Sequence, residues 1–298
     1  MATSPREAEI ILFIEPHGRK TADYVTRLLG NALIRDYPEK CFTFDSQPEP
    51  TGLLPGVYAS LPRRRLNPAR YRPGSYLFMP NEVYLRPGTD PESAHPPYLF
   101  SFRGSRRSNL IRGALLDAGF EGPEITITET HQWFDHGQEE KDRYGKEIED
   151  SKFVLCPRGI ATSSYRMYET MAQGRVPVIL SDAWAAPEGV AWGECALWVA
   201  EDRIAELPEI LRRQEPEWRT LGRRARQEWE RRFHPDIALY WTLRSIEEIR
   251  LFRGASHDER EWQHRWRSWA VAWENRWTLP QRVAAAARMS RLAKRTKG

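Results

Sequence analysis

The sequence predicts an α/β protein of two domains with parallel sheets, followed by extra C-terminal helices. Short apolar runs of strand length alternate with segments of helical periodicity through most of the 298 residues. Residues 48–97 hold 11 of the 22 prolines, and His95-Pro96-Pro97 interrupts the alternation. The chain is long enough for two cores of ordinary size. We therefore place the domains at 1–96 and 97–255, with a tail at 256–298.

The first domain shows four short apolar or alternating runs and one helical segment. These predict strands at Ile10–Ile14, Cys41–Phe44, Val57–Ala59 and Tyr76–Met79, and a helix at Ala22–Arg35. The prolines after residue 48 indicate rigid loops between the later strands. This order of elements is typical of a small α/β domain.

The second domain alternates strands and helices more regularly, which favours a doubly wound parallel sheet. The predicted strands are Leu99–Phe102, Ile125–Ile127, Phe153–Cys156, Val176–Leu180 and Leu197–Val199. The predicted helices are Ser108–Ala118, one that starts near Ser164, Arg203–Arg213, Glu217–Arg232 and Asp236–Phe252. The segment between Trp133 and Tyr144 is interpreted as a charged loop.

Five tryptophans of the tail recur at spacings of four, three, four and four residues, which places their indoles on one face of a helix. They are Trp262, Trp266, Trp269, Trp273 and Trp277. From Arg276 onward the tail carries seven basic residues and no acidic ones. Two interpretations stay open: the indoles pack on the first domain, or the basic amphipathic end contacts an anionic membrane.

The charge balance and the cysteines exclude several classes of function. The chain has 45 Lys and Arg against 41 Asp and Glu, a net charge of +4, so nucleic-acid binding is not implied. Cys41, Cys156 and Cys195 are widely spaced among apolar residues, which suits buried thiols in a reducing compartment and matches no zinc pattern. The start MATSPREAEIILFIEP contains only a five-residue apolar run, so we expect neither a signal peptide nor an anchor.

One stretch, SKFVLCPRGIATSSYRMYETMAQGRVPVILSD at Ser151–Asp182, has the pattern of a strand, a loop, a helix and a second strand. Its first strand leads into Pro157-Arg158-Gly159, and three hydroxyl residues can cap the helix that Gly174 ends. These three are Thr162, Ser163 and Ser164. A helix start supplies N–H groups and a positive dipole end, so with Arg158 it can hold a diphosphate. Glu169, farther along the helix, can accept hydrogen bonds from ribose hydroxyls.

These residues resemble the exostosin family of glycosyltransferases, glycosyltransferase family 47, whose members are inverting enzymes that use nucleotide sugars. The shared pattern is SKF-LCPRG, then SS-R, then an aromatic or aliphatic residue before Glu, then A-G-x-x-PV-I-SD. The block YLFSFRGSRR with Ile111-Arg112 is similar to the family's strand, basic loop and helix. The segment from Asp182 to Glu209 is similar to its acidic, Trp-bearing stretch. The resemblance covers roughly residues 96 to 215.

The resemblance implies two Rossmann-like domains that face each other across a cleft, the glycosyltransferase B-type architecture. The first domain would lie on the acceptor side, and the second would bind the nucleotide sugar, which we expect to be a UDP-sugar. The residues expected to contact it are Arg103, Gly104, Arg106, Arg158, Gly159, Ser163, Ser164, Arg166 and Glu169. The chain has no Asp-x-Asp motif, so arginines and a helix start are expected to stabilise the leaving diphosphate without a metal or another cofactor.

The general base that deprotonates the acceptor hydroxyl is left open by the sequence. The candidates are Glu15 and His17, which follow the first strand, and Asp135 and His136, which lie in the charged loop.

We expect a glycan or lipid-linked acceptor as the second substrate. The tail leaves open a peripheral membrane contact and self-association into a homo-oligomer. Eukaryotic exostosins carry a membrane anchor, and the N-terminal sequence here favours instead a cytoplasmic, bacterial enzyme, with the inner membrane surface as a further setting.

Two alternative functions remain. One is a non-catalytic glycan-binding or partner subunit with the same fold. The other is a GDP-fucose-dependent transferase, whose helix would carry a Lys where Arg166-Met167-Tyr168-Glu169 stands.

Overall fold

The computed structural model describes residues 2–15, 28, 30–48, 52, 54–77, 90–130 and 137–253, and these divide into two compact units. The first unit comprises the described part of Met1–Ser75, the segment Trp184–Glu188 and the last helix from residue 239 onward. The second comprises the described parts of Tyr76–Ala183 and Gly189–Ala238. The tryptophan-bearing tail and half of the residues of the predicted helix Ala22–Arg35 lie outside the described residues. The described half corrects the prediction of one continuous helix, because Asn31 is in an extended conformation and caps a new short helix.

The first unit contains a four-stranded sheet in which every pairing is parallel. Its strands are β1 (Ile11–Ile14), β2 (Cys41–Asp45), β3 (Gly56–Tyr58) and β4 (Tyr71–Pro73), in the order β1-β2-β3-β4. A short helix, α1 (Ala32–Asp36), precedes β2, and Asn31 caps it by accepting the N–H of Leu33. Ile34, Cys41 and Leu54 form the core beside this helix.

The fourth strand lies earlier than the sequence predicts. We expected it at Tyr76–Met79; Tyr76 and Leu77 form no strand, Phe78 and Met79 lie outside the described residues, and the fourth strand of the described sheet is β4, which pairs with β3. The Tyr76 ring is buried and stacks on Tyr165, with ring centroids 3.8 Å apart. Pro73 fits in β4 because this strand is the last of the described sheet, where a missing N–H donor is tolerated.

Arg72, the central residue of β4, binds two other segments of the first unit. Its Nη1 lies 2.9 Å from Glu188 Oε2 and 2.6 Å from Glu248 Oε2. Its guanidinium also lies 5.3 Å from the centre of the Phe252 ring. The arginine is buried, so its charge requires these carboxylates. The ion pairs therefore fix the segment Trp184–Glu188 and the last helix to β4.

The second unit contains a five-stranded parallel sheet. Its strands are β5 (Tyr98–Gly104), β6 (Ile125–Glu129), β7 (Ser151–Pro157), β8 (Val176–Leu180) and β9 (Leu197–Trp198), in the order β6-β5-β7-β8-β9. Phe100, Phe102, Phe153 and Val178 lie in its core. The two parallel sheets confirm the predicted α/β class.

Seven further helices follow α1 in the described residues. They are α2 (Leu110–Leu116), α3 (Gln138–Glu149), α4 (Tyr165–Ala172), α5 (Trp192–Cys195), α6 (Leu207–Gln214), α7 (Trp218–Arg232) and α8 (Pro235–Arg253). Helix α3 corrects the prediction of a charged loop before Tyr144. Its sequence, QEEKDRYGKEIE, buries only Gly145 and Ile148, so it shows almost no apolar periodicity. In the part of the chain described, no helix is long and apolar enough to cross a membrane.

The order of the second sheet indicates where a ligand binds. The chain runs from β5 outward to β6 and then crosses back to β7 on the other side of β5. Ligands of open α/β sheets bind at the carboxyl ends of the strands at such a reversal. The loops after β5 and β7 are therefore the expected walls of a site, and they carry the family-like motifs.

Close packing of α7 on the turn after α4 leads to a test of the fold. Gly174 has φ +65°, and a Cβ at Gly222 would lie 2.4 Å from the Gly174 carbonyl oxygen. We expect Gly222→Ala to lower the free energy of unfolding by roughly 1–3 kcal/mol, measured by chemical denaturation. Gly193→Ala is the control, because a Cβ there meets nothing within 4 Å. Equal stability of the two variants would contradict this account of the packing.

Candidate nucleotide-binding site

The candidate site lies where the loops after β5 and β7 meet. Asn109 caps α2 by accepting the N–H of Ile111 at 3.1 Å, and its Nδ2 donates to the Gly159 carbonyl at 2.9 Å. The N–H of Arg158 donates to the carbonyl of Leu180 at 3.1 Å, which ties the loop after β7 to the end of β8. The loops that the sequence singled out therefore come together at one edge of the second sheet.

Two arginines of this site make no ion pair with any described residue. Arg166, on α4, is 8 % exposed; its Nη2 donates to the Arg103 carbonyl, and its Nε and Nη1 are buried without a hydrogen bond. Arg112, on α2, donates to the carbonyls of Pro157 at 3.3 Å and Arg158 at 3.2 Å. Burial and the charge of Arg166 lower the pKa of Arg112 to about 9, so it stays charged at neutral pH. Two neighbouring cations that form no salt bridge with a described carboxylate favour an anionic ligand.

Aromatic rings and glycines position these arginines. The Arg166 guanidinium lies 4.7 Å from the centre of the Phe102 ring and 5.5 Å from that of Tyr144. A Cβ at Gly104 would lie 3.3 Å from Nη2 of Arg166 and 3.1 Å from the Phe102 ring. A Cβ at Gly159 would lie 3.2 Å from Nη2 of Arg112. Both glycines, predicted as ligand contacts, thus leave room for the arginines.

Glu169 lies buried on α4, the helix that carries Arg166. It is 3 % exposed; its Oε2 accepts a hydrogen bond from the Tyr144 hydroxyl, and its Oε1 makes none with the described residues. Burial raises the pKa of Glu169 to about 7, although the Tyr144 hydrogen bond and the Arg166 charge act in the opposite direction. The carboxyl group therefore titrates near neutral pH and keeps one oxygen for another donor.

Two arginines that were predicted to bind the diphosphate are engaged with carboxylates. Arg103 is partly buried between two glutamates of α3, and Arg106 is exposed and paired with acidic residues near α2 and β6. The partners are Glu140 and Glu147, both at 2.8 Å, for Arg103, and Glu129 at 2.6 Å and Asp117 at 3.0 Å for Arg106. The carbonyl oxygen of Arg103 still lies in the site, where it accepts a hydrogen bond from Arg166.

The start of α4 lacks the side-chain cap that was predicted from Thr162, Ser163 and Ser164. This serine occupies the N-cap position, but its side chain makes no capping hydrogen bond. The Ser163 hydroxyl bonds with that of Tyr76, and the Thr162 carbonyl accepts from Ser181 Oγ at 2.6 Å. The first N–H groups of α4 thus have no bond from the N-cap side chain, an arrangement that suits an anion beside Arg166.

None of the four base candidates lies in the described part of the second unit, which carries this site. Glu15 follows β1 in the first unit, where it is buried and accepts from Thr43 Oγ1 at 2.9 Å. His17, Asp135 and His136 lie outside the described residues. In the ranges described, no three His, Cys, Asp or Glu side chains cluster so as to hold a metal ion. The base and the metal-independent chemistry both stay predictions.

Sequence reasoning missed Arg112 and Tyr144 as site residues. Arg112 stood at the end of the second family-like block without an assigned role. Tyr144 closed the segment interpreted as a loop. Its signal was helical spacing, because Glu140, Tyr144 and Glu147 at positions i, i+4 and i+7 share one helix face. That face meets the charged residues of the site.

Titration of Glu169 predicts a pH-dependent stability. In the unfolded chain this carboxyl group would titrate near its ordinary value of 4.5, and burial raises its pKa to about 7 in the folded protein. Its contribution to stability is therefore fully present below about pH 4.5 and is lost as the pH rises through about 7, by on the order of 3 kcal/mol. We expect Glu169→Gln to raise the melting temperature over wild type at pH 8 more than at pH 5. Glu209→Gln, at an exposed position, serves as the control. If the difference in melting temperature between Glu169→Gln and wild type were the same at pH 5 and pH 8, the raised pKa of Glu169 would be contradicted.

Comparison with known proteins places the site inside a recognised domain. The exostosin GT47 domain model matches residues 72–214, which include Arg112, Tyr144, Arg166 and Glu169. Exostosin-1 of Drosophila melanogaster is 30 % identical over 137 residues, which cover 40 % of this chain and 18 % of the relative. The exostosin-1 homolog of Caenorhabditis elegans is 34 % identical over 132 residues, which cover 38 % and 35 %.

A plant relative gives a similar result. A probable glucuronosyltransferase of Oryza sativa subsp. japonica is 35 % identical over 149 residues, which cover 49 % of this chain and 30 % of the relative. The chain thus spans between 18 and 35 % of the length of these three relatives. All three come from eukaryotes, so they lend no support to the bacterial setting expected from the N-terminal sequence. Residues 72–214 thus match the exostosin GT47 domain, and this match covers just under half of the chain.

Proposed function

We propose that the chain is a glycosyltransferase that moves a sugar from a nucleoside-diphosphate sugar to a glycan or lipid-linked acceptor. The observation that carries this proposal is the pair of Arg112 and Arg166, two neighbouring cations without an ion pair in the described structure. A diphosphate supplies the missing anion and remains bound as negative charge develops on the leaving group. The names of the relatives, exostosin and glucuronosyltransferase, support the same reaction class.

The finer features of the proposal follow from the chemistry of the donor. We propose a uridine nucleotide whose ribose hydroxyls donate to Oε1 of Glu169, and transfer with inversion by a single displacement. We also propose the glycosyltransferase B-type architecture, in which the first domain binds the acceptor. A glucuronate donor is one to assay first, because several relatives are named as glucuronosyltransferases.

Thermal-shift measurements with UDP, GDP, ADP and pyrophosphate test the donor site. A ligand present at 100 times its Kd raises the stability of the folded state by about 2.7 kcal/mol, so a specific nucleotide will raise the melting temperature clearly. UDP is expected to give the largest shift. A protein that responds to none of the four would refute the donor site. One that binds UDP but neither transfers nor hydrolyses any UDP-sugar would favour the non-catalytic subunit.

Chelation tests the expected metal independence. If arginines and backbone N–H groups stabilise the leaving diphosphate, release of UDP from the donor continues at an unchanged rate in excess EDTA. The matched control is the same assay with added Mn²⁺. Loss of turnover in EDTA and its return with Mn²⁺ would show that the leaving group needs a metal. The anomeric configuration of the product, followed by NMR, separates inversion from retention.

A further inference from the structure

Tyr144 connects helix α3, which was not predicted from the sequence, to the proposed donor site. It belongs to α3, and its hydroxyl donates to Oε2 of Glu169 on α4. The same ring lies 5.5 Å from the Arg166 guanidinium. One side chain thus contacts both the carboxylate and one of the two cations of the site.

Helix α3 is itself held in place by the site. Glu140 and Glu147 lie one turn before and one turn after Tyr144, and both bind the Arg103 guanidinium at 2.8 Å. The carbonyl of Arg103 in turn accepts from Arg166. Arg103 therefore links α3 to β5 by its side chain and fixes Arg166 by its backbone. The position of the Tyr144 hydroxyl is set by these contacts on both sides.

The hydrogen bond leaves the two oxygens of Glu169 in different states. Oε2 is taken by Tyr144, and Oε1 makes no hydrogen bond with the described residues. A carboxylate held at one oxygen presents the other in a fixed direction, which reduces the conformational entropy lost on binding. We propose that Tyr144 is a positioning residue, which orients Glu169 so that its Oε1 accepts from the ribose hydroxyls of the donor. This inference rests on the proposed function.

The groups around Glu169 make the inference testable by pH. Tyr144 and Arg166 lower the pKa of Glu169 against the effect of burial, so loss of the tyrosine hydroxyl raises it further. Burial raises the pKa of Cys156 to about 12 and that of Tyr165 above its ordinary value, so both stay neutral through the physiological range. A change at Tyr144 that shifts the pH at which UDP binding is half-maximal therefore reports on the pKa of Glu169.

The experiment compares Tyr144→Phe with wild type in UDP and pyrophosphate titrations from pH 5.5 to 8.5. Because the ionised form of Glu169 accepts hydrogen bonds from the ribose more strongly than the neutral form does, we expect Tyr144→Phe to weaken UDP binding about fivefold at pH 7 and to move the pH midpoint of binding upward. Pyrophosphate has no ribose, so its affinity should stay within twofold of wild type. Tyr165→Phe is the matched control, since this tyrosine contacts Tyr76 through its ring and the hydroxyl makes no hydrogen bond with the described residues. It should bind both ligands as wild type does.

Two results would overturn the inference. One is unchanged UDP affinity and an unchanged midpoint in Tyr144→Phe. The other is an equal loss for UDP and pyrophosphate, which would mean that the tyrosine only supports the fold. If Tyr144→Phe is too unstable to titrate, the double variant Tyr144→Phe/Glu169→Gln replaces it. In the double variant the carboxylate that would lose its hydrogen-bond donor is also absent. The double variant should bind UDP as Glu169→Gln alone does, and a further loss would refute the role. Wild-type protein that does not bind UDP would refute the proposed function instead.

Discussion

Replacement of Arg166 by Met is expected to weaken UDP binding at least a hundredfold while leaving the free protein as stable as before. Each charge-assisted hydrogen bond to the diphosphate contributes about 1.5–3 kcal/mol, and Nε and Nη1 provide two such donors. Without ligand these two donors are buried and unpaired next to the charge of Arg112, and removing that cost offsets the loss of the Nη2 hydrogen bond to the Arg103 carbonyl. Affinity by titration calorimetry and the unliganded melting temperature are the two measurements.

Arg213→Met provides the matched control for this substitution. Arg213 is exposed on α6 and pairs with Glu209 four residues earlier, so its loss should change neither affinity nor melting temperature measurably. An Arg166→Met protein that binds UDP within threefold of wild type would show that the diphosphate binds elsewhere. A large drop in its unliganded melting temperature would instead mean that Arg166 is needed for the fold.

Replacement of Arg175 by Met is expected to destabilise the protein by about 3–5 kcal/mol. Arg175 precedes β8 and is 1 % exposed. Its Nε and Nη2 donate to the Glu149 carbonyl at 3.0 and 2.9 Å, and its Nη1 donates to the Gln173 carbonyl at 3.1 Å. These carbonyls belong to the ends of α3 and α4, where no intrahelical partner exists, and methionine leaves them buried and unpaired. Urea unfolding measures the loss.

Arg212→Met is the control for Arg175→Met. Arg212 is more than half exposed and forms ion pairs with Glu124 and Glu215, so its removal should cost less than about 1 kcal/mol. Equal stability of the two variants would show that the hydrogen bonds from Arg175 to the carbonyls at the ends of α3 and α4 do not stabilise the protein.

Strands with a local signal were predicted well from the sequence. Strands β7 and β8 are continuous apolar runs bounded by turn residues, and Gly174 ends the helix between them as expected. The sequence showed β4 poorly, because the burial of Arg72 depends on Glu188 and Glu248, which are 116 and 176 residues away. Helix α3 was missed because its inward face meets charges rather than an apolar core.

The candidate site shows the same division between local and long-range information. Glu169 and Arg166 were predicted because they lie in one short motif with helical spacing. The roles of Arg103 and Tyr144 depend on partners 44 and 25 residues away, so local spacing can place Tyr144 on a helix face but cannot show which residues either side chain contacts. From the sequence alone, a basic residue in such a loop is predicted to bind phosphate. Only the fold shows whether a carboxylate pairs with it.

The packing of α7 has a consequence for recombinant fragments of this protein. The family match ends at residue 214 and begins at Arg72, within strand β4. Helix α7 lies beyond that limit, yet Trp218 and Trp229 on it are buried, and its Arg226 donates to the carbonyl of Ala172 at the end of α4. A fragment of residues 72–214 would expose the apolar surface that these tryptophans cover. We expect it to accumulate in inclusion bodies, so a fragment meant for binding studies has to extend at least through Arg232.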